Sequence, residues 1–356
     1  VSEANLELKV NGVNYGGWQT IEVKRSIEEL AGSFRLGYFD HWIEGGQALP
    51  IEEGDECEIT IDGTQVLAGY VDEFHGDYDL DTHTLSVEGR SFAGDLCDSS
   101  AIFKSGQWRQ TTLKQVALDL CAPFDIGVMT GGDGNLVKFG IQQGESVFEV
   151  LERAARSQGV LLTSSANGSI SFVQPGAKTT STRIELGVNV KRSSLRGSWK
   201  ERFGSYLVKG QSPGAADFFG VAAAQPAPGK ATDDDVDRYR PLIVMPETHA
   251  RSDLQKRAVW ERNIRAGRSR RYRYQVPGWS RAEGLWEPNL MVHVADDFWG
   301  LDDDLLVASV TLRRDDDGST AELELASKEA FQTVPLPTQR HRNGRHGHGQ
   351  AGKRTW

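Results

Sequence analysis

The sequence predicts a β-dominated α+β fold of several domains. It places two similar antiparallel β-barrel domains in one chain, an α+β module between them and an insertion within the second barrel. Three observations carry this. Val23-Lys24-Arg25-Ser26 returns as Val190-Lys191-Arg192-Ser193. Around both copies, apolar and polar residues alternate between Gly- and Asp-rich turns, the pattern of strands that bury one face. Between the copies, the period changes to helical spacing behind two capping boxes.

Taken in order, residues 1–95 make the first barrel. Leu6, Leu8 and Val10 alternate, as do Ile21 and Val23, then Phe34, Leu36 and Tyr38, then Cys57, Ile59 and Ile61. Val66–Phe74 and His83–Gly89 flank an Asp-rich turn and read as a hairpin. Residues 96–178 make the α+β module. Thr112-Leu113-Lys114-Gln115 opens a helix that Pro123 ends, and Ser146-Val147-Phe148-Glu149 opens a second, closed by Gly159 at the left-handed C′ position. Asn167-Gly168 reads as the turn of a hairpin built from Val160–Thr163 and Ser169–Val173.

The second barrel, residues 179–210 and 282–333, repeats the landmarks of the first. Leu49-Pro50 is echoed by Glu287-Pro288, and the Cys57 alternation by Met291, His293 and Ala295. Val66–Val71 is echoed by Leu305–Val310, the Asp turn by Asp315–Asp317, and the closing strand by Leu323 and Leu325, with Ala330-Phe331 beyond. Proline to last valine spans 21 residues in one copy and 22 in the other. Val23 to Pro50 is 27 residues, whereas Val190 to Pro288 is 98, which predicts a basic insertion at 211–281. That insertion starts Gly/Ala/Pro-rich (Gln211–Lys230) and carries a third capping box, Ser252-Asp253-Leu254-Gln255. Residues 334–356 lack apolar periodicity and read as a flexible basic tail.

With 356 residues, each domain is large enough to bury a core. A net charge of −10 argues against a wholly basic nucleic-acid binder. Cys57, Cys97 and Cys121 are odd in number, without CxxC spacing, and read as buried free thiols of a reducing compartment. No signal-peptide pattern and no membrane-length apolar run occurs, so synthesis and folding in cytosol are expected.

Motif matches are weak. Asp77, Asp79, Asp81 and Glu88 fit positions 1, 3, 5 and 12 of a calcium loop, but Thr82 stands where the sharp turn needs Gly and the flanks alternate as strands. Solvated acidic turns are the better reading. Gly347–Lys353 matches a phosphate glycine pattern with no strand or helix to serve it. His341, His346 and His348 sit among arginines that repel a metal cation. No catalytic residue, metal site or cofactor is nominated. The strongest local signal is basic: Arg251–Arg281 holds ten Lys/Arg and two acids. Arg268, Arg270, Arg271 and Arg273 are its candidate site residues. They face either nucleic acid, through phosphate contacts, or an interface with the acidic remainder of the oligomer.

Val87–Ser91 running into Gly94–Ala101, then Gly144–Arg156, then Arg238–Leu242 with Arg257–Glu261 and Pro277–Trp279, resemble signatures of the hub proteins of contractile-tail phages. The resemblance covers nearly the whole chain up to Phe331 and extends to the amino-terminal part of type VI secretion spike proteins. It implies a non-enzymatic homotrimer in the virion baseplate, assembled in host cytoplasm. The two barrels of each subunit would give a ring of near-sixfold symmetry. Its implied partners are the tail tube or a tube adaptor, the spike and other baseplate proteins, with transient contact to DNA during ejection. Some such proteins carry a fused lysozyme or spike; here nothing after Phe331 is large enough, so the spike is expected as a separate chain, with His341–Trp356 helping to hold it. Two other functions compete: a tail-associated cell-wall hydrolase, and a DNA-binding protein using Arg251–Arg281.

Overall fold

Thirteen strands form one continuous sheet, and its strand order is the same twice over. The computed structural model describes residues 4–39, 51–78, 83–129, 131, 133–209, 228–245 and 254–332. In the first copy the order is Thr20–Ser26, Ser33–Phe39, His83–Ser91, Thr64–Tyr78, Glu56–Ile61, Leu6–Val10, with Val13–Tyr15 added at the edge. In the second copy it is Arg192–Gly197, Arg270–Pro277, Gly318–Ala326, Leu301–Asp315, Leu290–Asp296, Lys178–Glu185. The last strand differs in sense: Leu6–Val10 runs antiparallel to its neighbour, Lys178–Glu185 parallel. No ladder joins the first strand of either copy to its last among the described residues. Instead Thr20–Ser26 pairs antiparallel with Leu301–Asp315, so the first copy runs into the second.

The copies correspond strand for strand, but not in the register of the sequence echo. Each long strand carries a bulge, between Val71 and Glu73 in one and between Val307 and Ser309 in the other. Matching the bulges puts Val307, not Val310, at the place of Val71. The ladder Val23, Phe34, Gly89 then corresponds to Leu195, Tyr272, Leu325. The repeated Val-Lys-Arg-Ser is therefore five residues out of step, because Val190 precedes its strand whereas Val23 lies inside one. The alternation Met291, His293, Ala295 is corrected too. Leu290, Val292 and Val294 face the main core, at 1 % exposure or less. A one-residue slip exchanges the faces of a strand. Here both faces are partly apolar, since Met291 packs on a smaller cluster of Leu306, Ala308, Ala326, Ala330 and Phe331.

The insertion also has different limits. Arg270–Pro277, expected inside it, is a central strand of the second copy. Ser205–Val208, expected in the second barrel, instead joins Gly229–Thr232 and Pro241–Val244 in a separate three-stranded sheet. The chain thus leaves the main sheet after Gly197 and returns at Arg270. Arg271 and Arg273 lie on the strand's outer face, Arg270 stands exposed at its start, and Tyr272 and Tyr274 fill the core behind it.

The α+β module has its own core. Helices α1 (Ala93–Asp98), α2 (Leu113–Cys121) and α3 (Val147–Gln158) pack with the hairpins Gln107–Thr112/Asn135–Gly140 and Leu161–Ser164/Ile170–Val173. Ser146 and Glu149 form the full reciprocal cap, and Gly159 takes φ 75° at the C-cap. At α2 the cap is one-sided: Thr112 accepts from the Gln115 backbone, while the Gln115 side chain donates to Asp119. A three-residue turn containing Pro123 follows that helix.

Gly89 shows how tightly the first sheet packs. A Cβ there would lie 2.1 Å from the Tyr70 carbonyl oxygen and 2.7 Å from the Phe34 ring. Gly89→Val is expected to cost about 2–3 kcal/mol through overpacking, read as a lower denaturant midpoint at unchanged slope. The buried thiols yield a second expectation. Burial pushes Cys57 and Cys121 up to about 12. Both should resist an aromatic disulfide reagent in the native protein and react only after unfolding.

Candidate interaction surfaces

The basic segment is built on helix α4 (Leu254–Arg268) and the strand Arg270–Pro277. Leu254, Ala258, Glu261, Ile264 and Gly267 form the buried stripe of α4 at helical spacing. Leu254 and Ala258 pack on Tyr206, Val208 and Ala231 of the three-stranded sheet. Gly267 passes so close to Ala330 that a Cβ would sit 2.6 Å from its backbone nitrogen. The acid in this stripe, Glu261, grips Arg257 at 2.8 Å and Arg265 at 3.2 Å, one turn to either side. Trp260 donates to the Gln332 carbonyl at 2.6 Å. The described part of α4 begins at Leu254; Ser252 and Asp253 of the expected capping box fall outside the described residues, and the Gln255 side chain bonds the Lys230 backbone.

The four candidate arginines do not form one free cationic face. Arg271 pairs with Glu28 at 2.6 Å. Arg273 pairs with Glu322 at 3.3 Å and with Glu324. Arg268 donates to the Ala330 carbonyl at 3.3 Å and lines a cavity with Arg271. Arg270 is exposed. On the opposite face Tyr274 donates to buried Asp296 at 2.8 Å. Of the acidic turn, Glu88 lies in a strand and takes Arg35 at 2.5 Å; Asp79, Asp81, the glycine pattern and the three tail histidines lie outside the described residues.

Besides the outer edges at Val13–Tyr15 and Lys178–Glu185, two further sheet edges are open among the described residues, and sequence reasoning missed both. Arg192–Gly197 pairs on one side only, with Arg270–Pro277. Beyond Val71, the long strand of the first copy pairs on one side only, with His83–Ser91. The first edge is cationic (Lys191, Arg192, Arg196) and the second acidic (Asp72, Glu73, Asp77), with most of these side chains exposed. In the second copy the half-strand equivalent to the acidic edge is not open. Ser309–Arg314 takes Ile21–Ser26, and the bulge turns the Ala308 carbonyl onto the Ile27 amide at 2.9 Å and the Ser26 hydroxyl at 3.2 Å. Arg313 meets Glu22 across this seam at 3.2 Å.

A buried ion pair anchors the insertion to this framework. Arg202 grips Asp233 with two bonds, 2.6 and 2.9 Å, both side chains under a tenth exposed, and also reaches Asp235. Nothing in the spacing of Arg202 and the Asp233–Asp235 run announced it.

This arrangement of a repeated strand order with a module between the copies is shared with a phage tail protein of known structure. Domain profiles agree: the N-terminal domain of Mu phage baseplate assembly protein GpP-like matches residues 5–91, the second domain of baseplate hub protein gp44-like residues 93–174, and the fourth domain of Mu phage baseplate assembly protein GpP residues 250–334. The chain is 34 % identical over 347 residues to baseplate hub protein gp44 of Escherichia phage Mu, covering 94 % of this chain and 90 % of that one. It therefore belongs to the baseplate hub protein family of contractile-tail phages. The crystal structure of the 43 kDa tail protein of prophage MuSo2 from Shewanella oneidensis is similar, with a TM-score of 0.82 and 34 % identity over 93 % of this chain and all of that one. At 11 % identity the fold alone is shared with an Escherichia coli component of the type VI secretion system, described as similar in structure to T4 tail proteins gp27 and gp5. There the TM-score is 0.54, over 93 % of this chain and 80 % of that one.

Burial pushes the Asp233 carboxyl up, but the Arg202 hydrogen bonds and charge outweigh it and hold the group below the usual carboxylate range. A carboxylate held low contributes stability that is present at neutral pH and lost as pH falls below about 4. Asp233→Asn should destabilise the protein by about 2 kcal/mol at pH 7, because buried Arg202 loses its buried two-bond partner and keeps only the exposed Asp235 as counter-charge. The gap between wild type and variant should narrow when melting is repeated near pH 3.

Proposed function

We propose that this chain is a non-enzymatic structural hub of a contractile phage tail, located in the virion baseplate. Three copies close into a ring of six similar β units. Such a ring offers near-sixfold symmetry to a hexameric tail tube or its adaptor and true threefold symmetry to a trimeric spike, around a passage for DNA. Family membership supports the hub role. The observation that carries the ring is the pair of open edges. Each is the counterpart, in the other copy, of a strand already paired in the seam between Ile21–Ser26 and Ser309–Arg314. Repeating that seam between neighbouring chains leaves neither edge unpaired and closes the sheet on itself.

The bulge-matched correspondence fixes the register of the repeated seam. Arg196 of one copy stands opposite His75 of the next, with Glu73 and Asp77 as its diagonal neighbours on the same face. Opposite charges at such positions favour pairing, and like charges disfavour it. Closed barrels, the spike-holding role of His341–Trp356 and assembly in host cytoplasm belong to this reading as well.

Sedimentation at micromolar concentration should give a trimer. Arg196→Glu should shift the equilibrium toward monomer, with far-UV circular dichroism unchanged, and Glu73→Lys in the same chain should restore the trimer. A stable wild-type monomer, or double-variant behaviour no better than Arg196→Glu, would remove the ring. Activity on peptidoglycan in a zymogram would instead favour the cell-wall hydrolase.

A further inference from the structure

One cavity of about 540 Å³ gathers cations from three separate segments of the chain. Its walls include Arg196, Arg265, Arg268 and Arg271, with Trp260 and the hydroxyls of Ser198 and Ser269. Arg196 comes from the cationic edge strand, Arg265 and Arg268 from the last turn of α4, and Arg271 from the strand that follows. Only two acids line it, Glu201 and Glu261. Arg265 takes both, at 3.1 and 3.2 Å, and Glu261 also serves Arg257. The other three guanidinium groups are thus left short of anionic partners within the cavity. Arg271 uses Nη2 on Glu28 from outside, while its Nη1 is buried with no hydrogen-bond partner. Among the described residues Arg268 donates only through Nε, to a neutral carbonyl, and Arg196 is exposed without an ion pair.

Holding like charges together beside a low-dielectric wall is unfavourable unless an anion joins them. Arg268 is exposed at its surface, and the partial burial of its group, then the charge of Arg271, pull its guanidinium below its ordinary range, with Glu28 opposing. Guanidinium forks suit an oxyanion that accepts from several directions, and a tetrahedral phosphate has more acceptor oxygens than a carboxylate. We propose that this cavity is a binding site for a phosphate group, either free or carried by a nucleic-acid backbone. The proposal rests on Arg268 and Arg271, because Arg196 is the edge residue that the proposed ring sets beside Glu73 and Asp77 of a neighbouring chain.

The test titrates the full-length protein with pyrophosphate and with a short single-stranded oligonucleotide, by calorimetry at matched ionic strength. Saturable pyrophosphate binding is expected at one site per chain. Arg268→Met should weaken it at least tenfold, roughly the loss of one charge-assisted hydrogen bond. Arg270→Met, outside the cavity, should leave it unchanged. Arg271→Lys, which keeps the charge and loses the fork, should weaken it severalfold and serves if Arg268→Met does not fold. An oligonucleotide that binds and is displaced by pyrophosphate identifies a backbone phosphate as the source; pyrophosphate binding alone identifies the free anion. Absence of saturable binding by wild type, or equal affinities for Arg268→Met, Arg271→Lys and Arg270→Met, overturns the site.

Discussion

The antiparallel seam between Thr20–Ser26 and Leu301–Asp315 makes one framework of two β units. Its backbone bonds are supplemented where the second copy bulges, since the displaced Ala308 carbonyl takes both the Ile27 amide and the Ser26 hydroxyl. Ser309 answers by donating to the Arg25 carbonyl at 3.3 Å. Val23 and Leu312, opposite one another in the seam, are both buried, so the interiors of the two copies form one continuous cluster. Backbone groups at an open sheet edge seek partners, and here one chain satisfies one such edge internally. The other two edges follow from the same arithmetic, because a chain with two copies and one internal seam must leave one seam to a neighbour or to solvent.

The insertion and the module decorate this framework without interrupting it. The module enters after Ser91 with its own core around α1, α2 and α3. The insertion leaves after Gly197 and is tied back through α4, whose glycine packs on Ala330 and whose buried Glu261 organises the arginines on either side. Most of the positive charge that stands out in the sequence is spent holding these parts together. Arg202 secures the small sheet, Arg257 and Arg265 secure the helix, Arg271 reaches Glu28 in the bend after Thr20–Ser26, and Arg273 reaches acids of the neighbouring strand. The cavity near Arg268 is where this internal accounting leaves guanidinium groups over.

The sequence by itself determined that the chain contains a repeated β unit, that an α+β module separates the copies, and that the second copy is interrupted. It also placed the helix starts at Thr112 and Ser146. These are local properties: a capping side chain, a period of two, a turn glycine. Tertiary structure decided the register of the repeat and the limits of the insertion. Val-Lys-Arg-Ser marks both copies but lies five residues out of step, because Val190 precedes its strand whereas Val23 lies inside one, and the matching bulges at Asp72 and Ala308 that reveal this are announced by no residue type. The strand Leu290–Asp296 carries apolar residues on both faces, so alternation alone could not choose between Val292 and Met291. The partners of Arg268, Arg271 and Arg273 were equally invisible, since Ala330, Glu28 and Glu324 are remote in sequence and brought close only by strand order. Local pattern specifies elements; which edges meet, and which are left open, is set by long-range pairing that only the assembled sheet contains.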